Sequence, residues 1–271
     1  MRNPCFFPLL VLNATLTWAA DPPVRPTVIG HRGLVQSAPE NTLAGFRACL
    51  GLRVGFEWDV RRTKDGQLVC LHDETVDRTT SGKGRLADLT LAELRRLDAG
   101  RWFDAAFAEE RVPQVEEVLE VLARSPPEAG LLAVDLKEAG GGMEEALIKT
   151  AQQRVLLGRL IFIGLTIEST DVRRRLKAAS REAQTARLAP DEAAVADVLS
   201  DRDADWVYVR FLPAAATVER IHKAGKRVFL AGPLVAGHEP ENWKRAAALG
   251  LDAILTDYPL ELARQLRGRT P

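Results

Sequence analysis

Two histidines stand where buried strands are predicted to end. His31 follows the apolar residues 27–30, and His72 closes the apolar residues 68–72. A histidine titrates near neutral pH, so a pair of them can divide the work of a general base and a general acid. Arg32 offers a planar fork of donors that suits two phosphate oxygens at once. These residue types together predict acid–base cleavage of a phosphodiester.

Two carboxylates occupy alternate positions of the predicted strand 54–60. Strand side chains alternate, so Glu57 and Asp59 share one face, and Trp58 lies on the other. Carboxylates that share an interior face repel each other unless a cation or a proton lies between them. A hard divalent cation with oxygen ligands satisfies this arrangement. We therefore predict a metal site here; the alternative is a structural ion pair with an inward arginine.

A third carboxylate and a lysine follow the same rule in the predicted strand 131–137. Asp135 and Lys137 share one face, and Asp135 can supply a third ligand to the same cation. Lys137 then lies about one strand step away, where its compact charge suits a phosphate. The alternative is an interior salt bridge between Asp135 and Lys137.

Several other chemically capable residues are predicted to stand outside the reaction. Asp73 points away from His72 if the strand continues, so it is not expected to orient that histidine. His222 falls in a helical pattern and His238 in a loop, and both are predicted at the surface. Residues 49 and 70 are predicted to be buried free cysteines rather than a disulfide.

Strand and helix patterns alternate from residue 131 to residue 256. The strands are apolar on both faces, which indicates a parallel sheet covered by helices. No Gly-rich nucleotide loop follows the first strand, so an irregular (β/α)8 TIM-type barrel of the α/β class is favoured over an open sheet. The sequence contains nine strand-like segments, whereas the barrel has eight strands. Residues 59–68 are too few to include a covering helix. The predicted strands are residues 131–137, 160–166, 183–188, 206–211, 228–231 and 253–256, and the helices are residues 143–156, 171–179, 193–199, 218–224 and 243–249.

Composition limits the partners of the chain. Its 271 residues include 37 basic and 37 acidic side chains, so no overall positive field attracts nucleic acid. No internal stretch reaches the roughly 18 apolar residues of a membrane span. A small-molecule substrate is the expected partner, and the sequence does not indicate an oligomeric state.

The N-terminus has the pattern of an export signal over residues 1–19. One early positive charge precedes an apolar run, and Thr17-Trp18-Ala19 leaves small residues before a cleavage point. An uncleaved first strand or a membrane anchor is the alternative. Export would place the remaining domain, residues 20–271, in the periplasm or outside the cell.

These residues, in this order, resemble the glycerophosphodiester phosphodiesterase family. The resemblance implies an irregular β/α barrel, one divalent cation (calcium or magnesium), and hydrolysis of glycerophosphodiesters to glycerol 3-phosphate and an alcohol. It assigns the cation to Glu57, Asp59 and Asp135, acid–base catalysis to His31 and His72, and the phosphate to Arg32 and Lys137. The motifs that carry it are Gly30-His31-Arg32-Gly33, Pro39-Glu40-Asn41-Thr42, Glu57-x-Asp59-Val60, Thr63-Lys64-Asp65-Gly66, His72-Asp73, Arg78-Thr79-Thr80-x-Gly82-x-Gly84 and Thr256-Asp257-Tyr258-Pro259.

Two positions depart from the family pattern. Asp135 stands where the family usually has glutamate, and Ala231-Gly232-Pro233-Leu234 replaces a segment that commonly reads Trp-Thr-Val-Asn. The second change removes an aromatic wall from the mouth, and Trp243 on the next helix is not expected to replace it. Two alternatives to the family's reaction follow: a lysophospholipase D-type enzyme for another lipid headgroup, and an inactive barrel that binds phosphodiesters without cleaving them.

Overall fold

The alternating patterns build a barrel of strands with helices outside it. The computed structural model describes residues 25–126 and 130–268. The strands are β1 Thr27–Gly30, β2 Gly55–Arg62, β3 Leu68–Cys70, β4 Leu132–Leu136, β5 Leu160–Ile163, β6 Gln184–Ala189, β7 Trp206–Val209, β8 Arg227–Leu230 and β9 Ala253–Thr256. The helices are α1 Leu43–Gly51, α2 Leu91–Leu94, α3 Val115–Ala123, α4 Met143–Gln152, α5 Thr170–Ala179, α6 Val195–Ser200, α7 Ala215–Lys223, α8 Pro240–Ala248 and α9 Pro259–Arg267.

Eight of the strands form a closed parallel barrel. The order around it is β1, β2, β4, β5, β6, β7, β8 and β9, and β9 pairs with β1 to close the ring. Closure leaves no unpaired edge in the ring, and the apolar strands are buried on both faces. The predicted TIM-type α/β barrel is confirmed.

The irregularity predicted near residues 59–68 is an antiparallel hairpin. β2 is eight residues long, whereas most strands of the ring have four, and β3 runs back along its end with Val60 opposite Cys70 and Arg62 opposite Leu68. β3 is therefore the ninth strand and lies outside the ring. In place of a long covering helix, residues 71–114 pack a separate apolar cluster over this hairpin and contain only α2 and two 3-10 helices, Leu86–Asp88 and Ala105–Phe107.

Apolar side chains form two layers. The outer layer, between strands and helices, contains Trp58 and Phe56 from β2, and Phe56 stacks on Phe46 of α1. The inner layer fills the barrel below the mouth with alternate residues such as Trp206 and Tyr208 of β7. The alternation of inward and outward side chains continues to the ends of the strands. The residues at these ends and directly after them therefore supply the groups that surround the mouth.

Differences from the predicted elements occur mainly at their ends. The helix predicted over residues 143–156 ends at Gln152. α9 was not predicted; it begins at Pro259, a favourable first helical residue, and buries Leu262 and Leu266 against the strands.

Other predictions concern the surface and the cysteines. His222 and His238 are exposed, as predicted. Cys49 and Cys70 are buried and free, and burial raises the pKa of the Cys49 thiol to about 12. No helix among the described residues is long and apolar enough to cross a membrane. The predicted export signal, residues 1–19, lies outside the described residues.

Candidate active site

The three predicted carboxylates meet at the mouth of the barrel. Glu57 and Asp59 point inward from β2, and Asp135 is the parallel register partner of Asp59 on β4. One oxygen from each of the three carboxylates lies within 4.8 Å of the others. Glu57 and Asp59 are each 1% exposed, so they are screened from water and depend on other groups for their charge balance.

The pKa values of these carboxylates diverge because their neighbours differ. Burial raises the pKa of Glu57 well above its usual range, and the charges of Asp59 and Asp135 raise it further. Burial also opposes ionisation of Asp59, but Lys137, Arg32 and the hydrogen bond from Asn41 together outweigh it and lower the pKa of Asp59. Burial raises the pKa of Asp135 despite the nearby Lys137. The cluster therefore holds more carboxylates than its cationic neighbours neutralise.

Lys137 lies between two of the carboxylates. Its Nζ is 2.6 Å from Asp135 Oδ2 and 2.8 Å from Asp59 Oδ1. The interior salt bridge considered as an alternative to a phosphate role is thus present. Its geometry leaves the lysine at the mouth, where it is 18% exposed, so the same ammonium can also face a bound phosphate.

The donor set fits a hard divalent cation. Three carboxylates offer only oxygen, which calcium and magnesium prefer. The buried Oδ1 of Asp135 accepts no hydrogen bond within the part of the chain that the structure describes. Gly164, with φ +96°, packs against this carboxylate so closely that a Cβ there would lie 1.9 Å from Oδ1. A buried oxygen without a donor partner is available as a metal ligand.

His31 is held by a carboxylate that directly follows the neighbouring strand β9. Its Nδ1 lies 2.7 Å from Asp257 Oδ1, and the hydrogen bond with His31 lowers the pKa of Asp257. An ionised carboxylate only accepts, so Nδ1 carries the hydrogen and Nε2 keeps its lone pair in the neutral ring. Sequence reasoning assigned no role to Asp257. The alternation Ala253, Leu255, Asp257 along β9 was the available signal, because it continues the inward-facing series.

His72 is held by its own neighbour in sequence, which corrects the prediction for Asp73. The Nδ1 of His72 lies 2.7 Å from Asp73 Oδ1. The prediction assumed that the strand continues through both residues, but β3 ends at Cys70, so strict alternation does not apply beyond it. Moreover, His72 does not end a barrel strand; the antiparallel β3 returns it toward Asp59, whose carbonyl accepts from Leu71 N–H.

An ionic network supports the second histidine. Arg78 donates to Asp73 and to both oxygens of Glu40, and the hydrogen bond from Arg78 to Asp73 keeps the Asp73 pKa low, with a smaller contribution from His72. Arg32 donates to the same Glu40 at 3.0 Å. Glu40 thus joins the Arg78–Asp73–His72 chain to the arginine that follows His31.

Arg32 contacts the carboxylate cluster through both its backbone and its side chain. Its N–H donates to Glu57 Oε2 at 2.8 Å, in a left-handed conformation with φ 53°. Its Nε lies 3.5 Å from Asp59 Oδ2. Asn41 donates to the same Asp59 oxygen at 2.7 Å and accepts from the Asp59 N–H, so the Asn41 side chain positions a carboxylate rather than capping α1. Thr42 is the helix cap.

A cavity of about 200 Å³ opens beside His31, on the side where the sequence departs from the family pattern. Gly232, Tyr208 and Arg210 line it together with His31. Trp243 is fully buried and donates to Ala236 O, which agrees with the prediction that it does not replace the missing aromatic wall. Arg210 was not predicted to lie here.

Comparison with known proteins decides the family. The sequence pattern of the Glycerophosphoryl diester phosphodiesterase family matches residues 31–261. The chain belongs to this family. Its members include a glycerophosphodiester phosphodiesterase from Caldanaerobacter subterraneus subsp. tengcongensis, which is 43% identical over 134 residues, 48% of this chain and 54% of the relative. The chain spans about half the length of the curated relatives that it matches first.

Solved structures of glycerophosphodiester phosphodiesterases share the fold over most of the chain. The enzyme from Agrobacterium tumefaciens matches with a TM-score of 0.76 and 26% identity, over 88% of this chain and 99% of its own. A phosphodiesterase from Oleispira antarctica, in complex with the product sn-glycerol-3-phosphate, matches with a TM-score of 0.73 and 27% identity, over 90% and 98%. The expected enzyme class, phosphoric diester hydrolase, is therefore that of the family.

Proposed function

We propose that this protein hydrolyses glycerophosphodiesters to glycerol 3-phosphate and an alcohol. The observation that carries the proposal is a pair of histidines, each bound at Nδ1 by a carboxylate, at a mouth that also holds three clustered carboxylates. Family membership supports the same class of reaction, and the Oleispira antarctica relative holds sn-glycerol-3-phosphate as its product.

We propose that Glu57, Asp59 and Asp135 hold one divalent cation, calcium or magnesium. When bound, the cation supplies positive charge to the phosphoryl oxygens as negative charge develops on them. The raised pKa of Glu57, caused by burial and by its two acidic neighbours, supports this role because unneutralised charge in the cluster favours a cation.

His31 and His72 are proposed as the acid–base pair. With Nδ1 bound to Asp257 or to Asp73, each neutral ring presents a basic Nε2. One Nε2 removes the proton of the substrate's glycerol hydroxyl, whose oxygen then bonds to phosphorus. The other histidine, protonated, gives its proton to the departing alcohol oxygen as the P–O bond breaks. Water then opens the cyclic phosphate with the two roles reversed.

Arg32 and Lys137 are proposed to bind the phosphate. Both cations already balance the carboxylates, Arg32 against Glu40 and Lys137 against Asp59 and Asp135. These ion pairs orient the two side chains before substrate arrives, which reduces the entropy lost on binding. Lys137 acts as a point charge, while the Arg32 fork can contact two oxygens.

The proposed substrate is a small soluble diester rather than a nucleic acid or an intact bilayer. The balanced charge of the chain supports this choice. The pattern of residues 1–19 supports export to the periplasm or the cell exterior. Fractionation of cells that express the full chain tests export: retention in the cytoplasm at full length contradicts it.

Release of glycerol 3-phosphate from glycerophosphocholine tests the proposed function. The purified protein is assayed with added calcium or magnesium, with a chelator, and after the cation is restored. We expect release that the chelator abolishes and the restored cation recovers. Choline release from lysophosphatidylcholine, without glycerol 3-phosphate from the diester, identifies a lysophospholipase D-type enzyme instead. No hydrolysis of either compound contradicts the proposal and favours a phosphodiester-binding barrel.

A further inference from the structure

Arg210 continues an inward-facing series on one barrel strand. Trp206 and Tyr208 point into the barrel from β7, and Arg210 follows them at the same two-residue spacing, one residue beyond the end of the strand. The guanidinium carbon lies 5.7 Å from the centre of the Tyr208 ring. Arg210 also lines the cavity that contains His31. It therefore places a positive charge beside a proposed catalytic residue.

The unusual segment 231–234 makes room for this arginine. The Cβ, Cγ and Cδ atoms of Arg210 lie 3.3–3.6 Å from the position that a Cβ on Gly232 would occupy. Gly232 has φ +104°, a conformation that side-chain-bearing residues rarely adopt. The absence of a side chain at 232 thus lets the arginine stem lie against the loop. The guanidinium of Arg210 thus lies beside the segment that lacks the family's aromatic side chain.

Arg210 differs from the other arginines around the mouth because, among the described residues, it has no carboxylate within ion-pair distance. Arg32 pairs with Glu40, and Arg78 pairs with Glu40 and Asp73. Among residues 25–126 and 130–268, no carboxylate lies within the 4.0 Å of an ion pair with Arg210. Tyr208 contributes a neutral ring face and hydroxyl, and the charge of Arg210 favours ionisation of Glu168 from beyond ion-pair distance. The guanidinium is therefore available to a ligand in the cavity, whose lining also includes Asp257, a carboxylate already bound to His31.

We propose that Arg210 selects glycerophosphodiesters whose alcohol carries an anionic group, such as a carboxylate. This inference rests on the proposed function, because His31 and the alcohol that leaves must then share the cavity. The cavity of about 200 Å³ suits an alcohol with only a few heavy atoms. A guanidinium binds a carboxylate through two parallel hydrogen bonds, whereas an alcohol with only an ammonium group is repelled.

A matched arginine separates charge recognition from packing. Arg227 also lies over an aromatic ring, 4.5 Å from the centre of Trp206, but it stands at the start of β8, at the opposite end of the barrel. Arg210→Gln and Arg227→Gln each remove one positive charge and one contact between a guanidinium and an aromatic ring; Arg227→Gln also removes a hydrogen bond to Gln184. Arg210→Lys keeps the charge and loses the fork.

The test compares glycerophosphoserine with glycerophosphoethanolamine, whose alcohols differ by one carboxylate. We expect wild type to hydrolyse the serine diester with the higher kcat/KM. Arg210→Gln should lower the ratio of the two kcat/KM values about tenfold, since a charged hydrogen bond is lost. Arg210→Lys should lower it less, and Arg227→Gln should leave it unchanged. An unchanged ratio in Arg210→Gln, with hydrolysis intact, overturns the inference and leaves the proposed function standing.

Binding without turnover distinguishes the two failures. Ligand-observed NMR with chelator measures the binding of both intact diesters to wild type and to Arg210→Gln. If neither diester is hydrolysed but wild type alone prefers the serine diester, the anion site stands and the proposed function fails. If neither protein shows a preference in binding or in hydrolysis, the inference is wrong.

Discussion

Removal of Lys137 is expected to expose the repulsion within the carboxylate cluster. Lys137→Met keeps most of the apolar stem and removes the ammonium that lies 2.8 Å from Asp59 and 2.6 Å from Asp135. Loss of one partner from a buried ion pair costs about 3–5 kcal/mol, because the remaining charge is left uncompensated. Lys137 is 18% exposed, so we expect the lower end, about 3 kcal/mol less unfolding free energy in chelator.

A bound cation should offset much of this loss. Calcium in the cluster replaces the missing positive charge, and in the variant it meets no lysine ammonium that repels it. We expect the calcium-induced gain in unfolding free energy to exceed that of wild type by about 1.4 kcal/mol, a tenfold gain in affinity. Urea unfolding with chelator and with excess calcium measures the calcium-induced gain in wild type and in Lys137→Met.

Lys177→Met is the matched control. Lys177 is 17% exposed, and its Nζ lies 2.7 Å from Oδ2 of a single carboxylate, Asp205. Asp205 directly precedes β7, so this ion pair lies at the end of the barrel opposite the mouth. The unfolding free energy lost in Lys177→Met should be the same with chelator and with calcium. Equal calcium-induced gains in wild type and Lys137→Met would refute the conclusion that the lysine and a cation share these carboxylates.

Two further predictions concern positions around the site. Gly164→Ala should lower cation affinity in calorimetry, because its Cβ would displace Asp135. Gly250→Ala is the control: Gly250 has φ +77° and no atom within 4 Å of the added Cβ, so the change should cost only about 1 kcal/mol of stability and leave cation affinity unchanged. Equal cation affinity in both variants contradicts this steric account. Arg78→Gln should destabilise the protein at neutral pH and progressively less in acid, because the depressed pKa of Asp73 contributes stability above its unfolded value of 3.8 that is lost as pH falls below it. A destabilisation of Arg78→Gln that does not change with pH in urea unfolding would show that the ion pairs do not cause it.

The carboxylate cluster could be predicted because strand alternation determines which of its side chains point inward. Glu57 and Asp59 lie two residues apart on β2, and Asp135 and Lys137 have the same spacing, with Lys137 one residue beyond the end of β4. The pairing of Asp59 with Asp135 then follows from two adjacent parallel strands. Local periodicity was sufficient wherever a strand was regular.

The remaining site residues depend on information that periodicity lacks. The Asp73 prediction was wrong because β3 ends two residues before His72, and strand ends are set by tertiary packing. Asp257 meets His31 only because barrel closure puts β9 beside β1, across 226 residues of sequence. Arg210 required the same knowledge, since its relation to Gly232 comes from the neighbouring ends of β7 and β8.

Turnover of single-histidine variants tests the central claim most directly. His31→Ala and His72→Ala are assayed on glycerophosphocholine with a divalent cation, beside His222→Ala, whose histidine binds Asp252 at the surface. Urea unfolding establishes that each variant is folded. The acid–base assignment predicts a loss of about 100-fold or more in kcat for either mouth histidine and no change for His222→Ala. Near-normal kcat in a folded His31→Ala or His72→Ala protein would contradict it.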